Sequence, residues 1–294
     1  MRTELTTVRN VLTRTSGFLK TITSHSLQPY RGCSFGRALC GVGCYVRHNG
    51  HILRGRTWGE FLEVRQNAAE SYRDNVERER RWARKNRERF GVFLSSSTEP
   101  FLPQEFRFGV TRRVLEAMVD APPDALIVQS HSHRVAEYVE LYSQLKTRCD
   151  LRVHVSIETD REDLPGLPRH ASSVARRLTA AKRLKDSGVI TIVTVAPLLP
   201  IDKPETFFQQ VADAAHAVVV DHFIQGDGSP DGSRTRRTGL PQAMAKVDEE
   251  STTLAYRDAM AAVAERYLPG RVGVNIDGFA GRYRSDSSSE SSEP

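Results

Sequence analysis

The sequence predicts an α/β fold: a partial (open) βα-barrel of about six parallel strands with outer helices. Three observations predict it. Six short apolar runs rich in Val and Ile alternate with helix-type stretches, the order of a parallel sheet covered by helices. The fourth run, LRVHVSIE, alternates, so Val153, Val155 and Ile157 share one face and His154, Ser156 and Glu158 the other. A doubly wound sheet, the alternative, wants both faces apolar, whereas a ligand-holding barrel can turn polar side chains into its lumen. Polar residues also gather where runs end: Ser95 to Glu99, Gln129 to His133, Ser156 to Asp160 and Asp221 to Asp227. In βα-barrels that end is the catalytic rim.

In chain order, residues 1–20 read as an N-terminal extension with Arg2, Arg9 and Arg14 but without the apolar core of a secretory signal. The barrel domain is expected over 21–282. Its strands fall at 24–30, 90–97, 125–130, 151–158, 190–199 and 217–223, each bounded by Gly, Pro or polar residues. Helices are expected at 57–89, 106–120, 134–147, 170–187, 204–215 and 249–267, the last closed by Pro269 and Gly270. The first holds ESYRDNVERERRWARKNRERF, with Arg and Glu at helical neighbour spacing. That run reads as a solvated, self-paired face, or else as a nucleic-acid-binding stripe interrupted by acids. The tail over 283–294, ending SDSSSESSEP, has nothing to bury and reads as disordered.

Composition narrows the class. The 294 residues are 39% hydrophobic with a net charge of +6, which fits an ordinary enzyme as well as a protein with a polyanionic partner. No apolar stretch reaches the roughly 18–20 residues of a membrane span, so a cytoplasmic protein is expected. Three of the four cysteines lie within residues 33–44 and Cys149 stands alone. That pattern is not a secreted disulfide framework, and it points to a reducing compartment.

The cysteine loop reads PYRGCSFGRALCGVGCYVRHNG and follows the first strand. Three thiolates among Gly32, Gly36, Gly41 and Gly43 can wrap one metal centre, because glycine permits close backbone approach. Cys33, Cys40 and Cys44 could hold a cubane of four irons and leave one iron open. With His48 they could instead close a tetrahedral zinc site, C-x6-C-x3-C-x3-H, or they could be buried thiols. Position favours the open cluster, since a cofactor on it would reach over the strand ends, a placement a structural zinc does not require.

The loop, with LQPYRGCSFG and CGVGCY, resembles the cluster loop of the radical S-adenosylmethionine superfamily. SSSTEPF, VSIETDRE, RRLTAAKRL, VTVAPLLPI and DHFIQGDGS, in that order, resemble its spore photoproduct lyase-like branch, over roughly residues 22–280. The resemblance implies a [4Fe–4S] cluster on Cys33, Cys40 and Cys44, with S-adenosylmethionine chelating the open iron. It implies reductive cleavage of that cofactor to a 5′-deoxyadenosyl radical that takes hydrogen from substrate, fed by an electron donor such as flavodoxin or ferredoxin. It places Ser97, Thr98 and Glu99 at the methionine amino group, Ser156 and Glu158 facing the ribose, and Arg177 at the methionine carboxylate. The backbone at Ala196 and Pro197 would flank the adenine.

The chain departs from the pattern in three places. The superfamily spacing is C-x3-C-x2-C and here it is C-x6-C-x3-C. Gly43 stands where an aromatic usually precedes the third cysteine, with Tyr45 just after it. Serines occupy 95–97, where the spore enzyme has a hydrogen-donating cysteine, so repair of crosslinked thymines is not expected. The substrate is left open, with an anionic or nucleic-acid substrate in view, because the loop at 225–242 carries Arg234, Arg236 and Arg237 as a cationic lid or a long surface loop. The remaining readings are a zinc-stabilised nucleic-acid-binding protein and a degenerate, non-catalytic module on the same fold.

Overall fold

The computed structural model describes residues 1–283, so the acidic tail lies outside the described residues from position 284 onward. The strands are β1 (Arg2–Thr6), β2 (Leu12–Arg14), β3 (His25–Leu27), β4 (Tyr30–Gly32), β5 (Phe61–Arg65), β6 (Gly91–Leu94), β7 (Ala125–Ser130), β8 (Asp150–Ser156), β9 (Ile190–Val195), β10 (Ala217–Val220) and β11 (Val272–Val274).

The main sheet runs β11-β10-β9-β8-β7-β6-β3-β2. All neighbours from β3 to β11 are parallel, and β2 closes one edge antiparallel to β3. Spatial order thus follows chain order without reversal, which excludes a doubly wound sheet. The edges β2 and β11 do not pair, so the barrel is open. The parallel strands number seven against the expected six. The extra one, Val272–Val274, is too short and glycine-interrupted to stand out as a run.

Helices Val110–Asp120, Val174–Asp186, Pro204–Ala214 and Leu254–Tyr267 cover the outside. Val114, Ala181, Phe208 and Ala261 pack there on the outward residues Val153, Val155, Val193 and Val218. Register puts Gln129, His154, Ile192 and Ala217 in one inward layer, and Ser156, Thr194, Val219 and Gly273 in the next. The alternation read in β8 therefore holds. His154 is an apolar-layer filler, however: both ring nitrogens lack a partner. Burial pushes its pKa down to about 3, so the ring is neutral, 6.0 Å from the Phe279 ring.

Two stretches differ from expectation. The helix expected at 57–89 starts only at Ala68 and ends at Asn86, and strand β5 precedes it. β5 pairs parallel with β1 and antiparallel with β4, forming a separate three-stranded sheet whose last strand runs directly into Cys33. Glu63 on β5 is held by Arg31 and Arg56, partners from other segments that no local pattern shows. Nor is the charged helix simply solvated. Glu79 is buried and takes Arg14 Nε at 2.9 Å, His25 Nε2 at 3.2 Å and Asn10 Nδ2 at 3.2 Å. Arg14 and Arg78 are thereby tied to a buried carboxylate, while Arg81, Arg84 and Lys85 on the same helix stay exposed. Residues 1–20, read as an extension, carry β1 and β2, and Arg14 also lies over the Trp82 ring.

Candidate functional site

A cavity of about 520 Å³ opens at the carboxyl ends of the strands. Phe18, Phe93 and Phe279 form its apolar floor, and the cysteine loop forms one wall with Cys33, Cys40 and Cys44 all facing in. The loop closes on itself through glycine. A Cβ on Gly41 would lie 2.4 Å from the backbone of Gly36, and one on Gly36 would lie 2.5 Å from Gly59, contacts no other residue allows. The longer C-x6-C-x3-C spacing is thus taken up by a tight fold of backbone on backbone.

The Cys33 side chain is buried, and those of Cys40 and Cys44 are half-buried. Burial raises all three, Cys33 to about 12, Cys44 to about 11 and Cys40 well upward. Without a metal centre they are protonated, and loading one must release protons. His48, the fourth ligand of the zinc reading, is exposed on the outside of the loop and does not line the cavity. Among the described residues no three His, Cys, Asp or Glu side chains gather around a point as a single ion requires. The soft donors instead surround a space, which suits a cluster.

The segment after β6 forms the next wall. Ser95 sits at φ +70° with its buried hydroxyl unpartnered, a cost kept up against the cavity. Ser97, Thr98 and Glu99 line it too. Thr98 Oγ1 donates to Gly32 carbonyl at the entry to the cysteine loop. Glu99 accepts from Ser130 Oγ at 2.7 Å and from the N–H groups of Phe101 at 3.0 Å and His131 at 2.8 Å. Its carboxyl is nonetheless pushed up by burial, against the pull of His131.

Ser156, Glu158 and Arg177 do not line the cavity. Ser156 and Glu158 stand behind Gln129 on β7 and His131 just after it, which do, and Arg177 stands behind Glu158. Gln129 Nε2 donates to Ser156 Oγ at 3.2 Å, and His131 Nδ1 lies 2.7 Å from Glu158 Oε1. Arg177 Nη1 meets Glu158 Oε2 at 2.7 Å, and its guanidinium also serves the Ser156 carbonyl and His170. Only 1% of either side chain of the pair is exposed. Burial alone would raise the Glu158 carboxyl, but Arg177 and His131 hold it well below the usual range. These three residues are a support behind the rim. Arg177, expected at a methionine carboxylate, is paired here with Glu158 and does not line the cavity.

The rim also holds residues to which the sequence reading gave no cofactor role. His131 and Gln129 face the cavity from β7. Tyr45 lines it as well, its hydroxyl donating to the Ser96 carbonyl. Asp221 closes the far side, its carboxyl raised to about 7 by burial. With its amide nitrogen turned to Asp221, Asn275 donates to Oδ1 at 2.8 Å and accepts from Arg257 at 3.0 Å. Over the mouth, Arg234 lines the cavity from the loop after β10. Burial, and then the charges of Arg47, Arg237 and Arg234, push the His48 pKa down against the opposing pull of Asp227. Arg234 Nη1 donates to the Asp227 carbonyl at 3.3 Å. The signal for this rim was the clustering of polar residues at strand ends, which marks positions but not which side chains turn inward.

No protein-family model matches the chain, and no curated protein does. Solved structures do. Spore photoproduct lyase complexed with dinucleoside spore photoproduct superposes with a TM-score of 0.62 at 15% identity, over 93% of this chain and 81% of that one. A variant of that enzyme with bound AdoMet and the same dinucleoside matches with a TM-score of 0.62 at 14% identity over the same shares. The chain has the fold of spore photoproduct lyase.

Proposed function

We propose that this protein is a radical S-adenosylmethionine enzyme, working in a cytoplasmic, reducing setting. The observation that carries the reading is Cys33, Cys40 and Cys44 lining one cavity at the carboxyl mouth of a partial barrel. A protein of the same fold is known with AdoMet bound. Cys33, Cys40 and Cys44 would hold a [4Fe–4S] cluster, which when bound supplies the electron for reductive cleavage of S-adenosylmethionine. Ser97, Thr98 and Glu99 would meet the polar methionine end. The phenylalanine floor excludes water from the reacting region. His131, fixed by Glu158 and Arg177 behind it, presents a ring of set orientation to whatever enters.

The substrate we propose is anionic. Arg234 lines the cavity from the loop after β10, and a guanidinium so placed favours an anion. Thymine-dimer repair is not part of the reading. Serines stand at 95–97, and Cys149 lies away from the cavity, its thiol on the Leu145 carbonyl.

The test is anaerobic purification, reconstitution with iron and sulfide, reduction with dithionite, and assay for 5′-deoxyadenosine. Cluster absorbance with cofactor cleavage is expected. Stoichiometric zinc without labile sulfide would sink the proposal.

A further inference from the structure

Phe106 is 86% exposed, the most exposed large apolar side chain among the described residues. It sits beside a surface cleft of about 280 Å³ bordered by Leu102, Gly109 and Tyr138. Arginines surround it. Arg134 lies 6.0 Å from the Phe106 ring, Arg112 packs 5.1 Å over Tyr138, and Arg107 is next in sequence. The acids there are largely spent. Glu105, in the cleft, accepts from Tyr30 and Tyr138 hydroxyls and from the N–H groups of Thr111 and Arg112. Glu137 faces Arg134 at 3.7 Å. An exposed aromatic ringed by arginine is the composition of a protein-binding hot spot, and its sign selects an acidic partner.

The cleft backs onto the cysteine loop. Glu99 lines the cavity together with Cys33. Phe101, two residues on, lines the cleft, at most about 7 Å of chain away. Ser34, beside Cys33, donates to Gln104 at 2.9 Å from the same segment. Each reductive cleavage in the function proposed above takes one electron from a donor. The donor is oxidised by one electron, the sulfonium C–S bond breaks, methionine leaves as the thioether, and the adenosyl carbon takes a hydrogen atom from substrate. That electron has to cross the surface somewhere near Cys33.

We propose that the face around Phe106, Arg107, Arg112 and Arg134 docks the acidic surface of a one-electron donor protein of flavodoxin or ferredoxin type, an apolar side chain of which enters the cleft. The inference rests on the cofactor reading. Encounters of this class are small and steered by charge, so docking weakens with salt.

The test uses the full, reconstituted protein and an acidic flavodoxin as probe. Binding is measured by calorimetry at low and at high salt, and 5′-deoxyadenosine is followed with flavodoxin or with dithionite, a reductant that needs no dock. Phe106→Ala and Arg112→Glu are each expected to weaken flavodoxin binding about tenfold and to slow flavodoxin-driven cleavage, with dithionite-driven cleavage unchanged. Salt is expected to weaken binding by the unaltered protein. Binding that neither variant changes, or no binding at low salt, overturns the dock. An oligonucleotide retained on this face while flavodoxin is not also overturns it. Absence of dithionite-driven cleavage in the unaltered protein overturns the cofactor reading instead.

Discussion

Replacing Arg177 by Met removes one partner of an ion pair in which only 1% of either side chain is exposed, and it leaves Glu158 buried without its guanidinium. Breaking a buried pair this way typically costs about 3–5 kcal/mol, because the remaining charge is uncompensated. His131 still faces Glu158 at 2.7 Å, so about 3 kcal/mol is the expected loss at pH 7. For a domain of this size that lowers the melting temperature by roughly 5 °C. The pH dependence carries a sign. In the unaltered protein the folded-state pKa of Glu158 lies below its unfolded value. Its contribution is therefore present above the unfolded pKa and lost as pH falls through the folded one. In Arg177→Met the burial term dominates, the folded pKa rises above the unfolded value, and the variant is stabilised by mild acid. Urea unfolding at pH 5 and pH 7 separates the cases. Adding Glu158→Gln to Arg177→Met removes the stranded charge and should recover most of the loss. A single variant as stable as the parent, or a double variant no better than the single, would refute the argument and reopen Arg177 as a ligand-binding group.

Three further predictions address the site itself. Asp221→Asn should raise stability at pH 7 by up to about 4 kcal/mol, since the folded pKa of about 7 exceeds the unfolded value near 3.8. The unaltered protein should accordingly lose stability from about pH 4 to pH 7 while the variant does not, as pH-resolved denaturation will read. Cys33→Ser, Cys40→Ser and Cys44→Ser should each abolish a stable iron–sulfur spectrum after reconstitution, with Cys149→Ser retaining it; iron and sulfide analysis decides. Gly41→Ala drives a Cβ to 2.4 Å from the Gly36 backbone. It should cost about 1–3 kcal/mol and impair cluster uptake more than Gly50→Ala, which meets nothing within 4 Å.

Much of the barrel was legible because its strands are buried on the outer face and read as apolar runs with turn residues at their ends. The alternation in β8 even carried the inward face, and the cysteines proved to share one cavity. What escaped depends on distant partners. β5 sits inside a charge-rich stretch, and only Arg31, Arg56 and the β1 backbone make a strand of it. Sequence could place Ser156, Glu158 and Arg177 at a strand end and on the next helix. It could not show that Gln129 and His131 from the neighbouring strand would cover them, because which of two adjacent polar residues fronts a cavity is decided by packing across strands. The loop arginines were visible as composition, while which of them lines the cavity, Arg234, needed the fold.

The small β1-β5-β4 sheet has a practical corollary. Three strands in register link the first residues of the chain to Gly32, and so mechanically to the cysteine that follows. Whatever is joined ahead of Arg2 emerges at the margin of the ligand loop. An affinity tag placed there tugs on the part of the molecule whose geometry most needs to be left alone, so a handle for anaerobic preparation belongs at the other terminus.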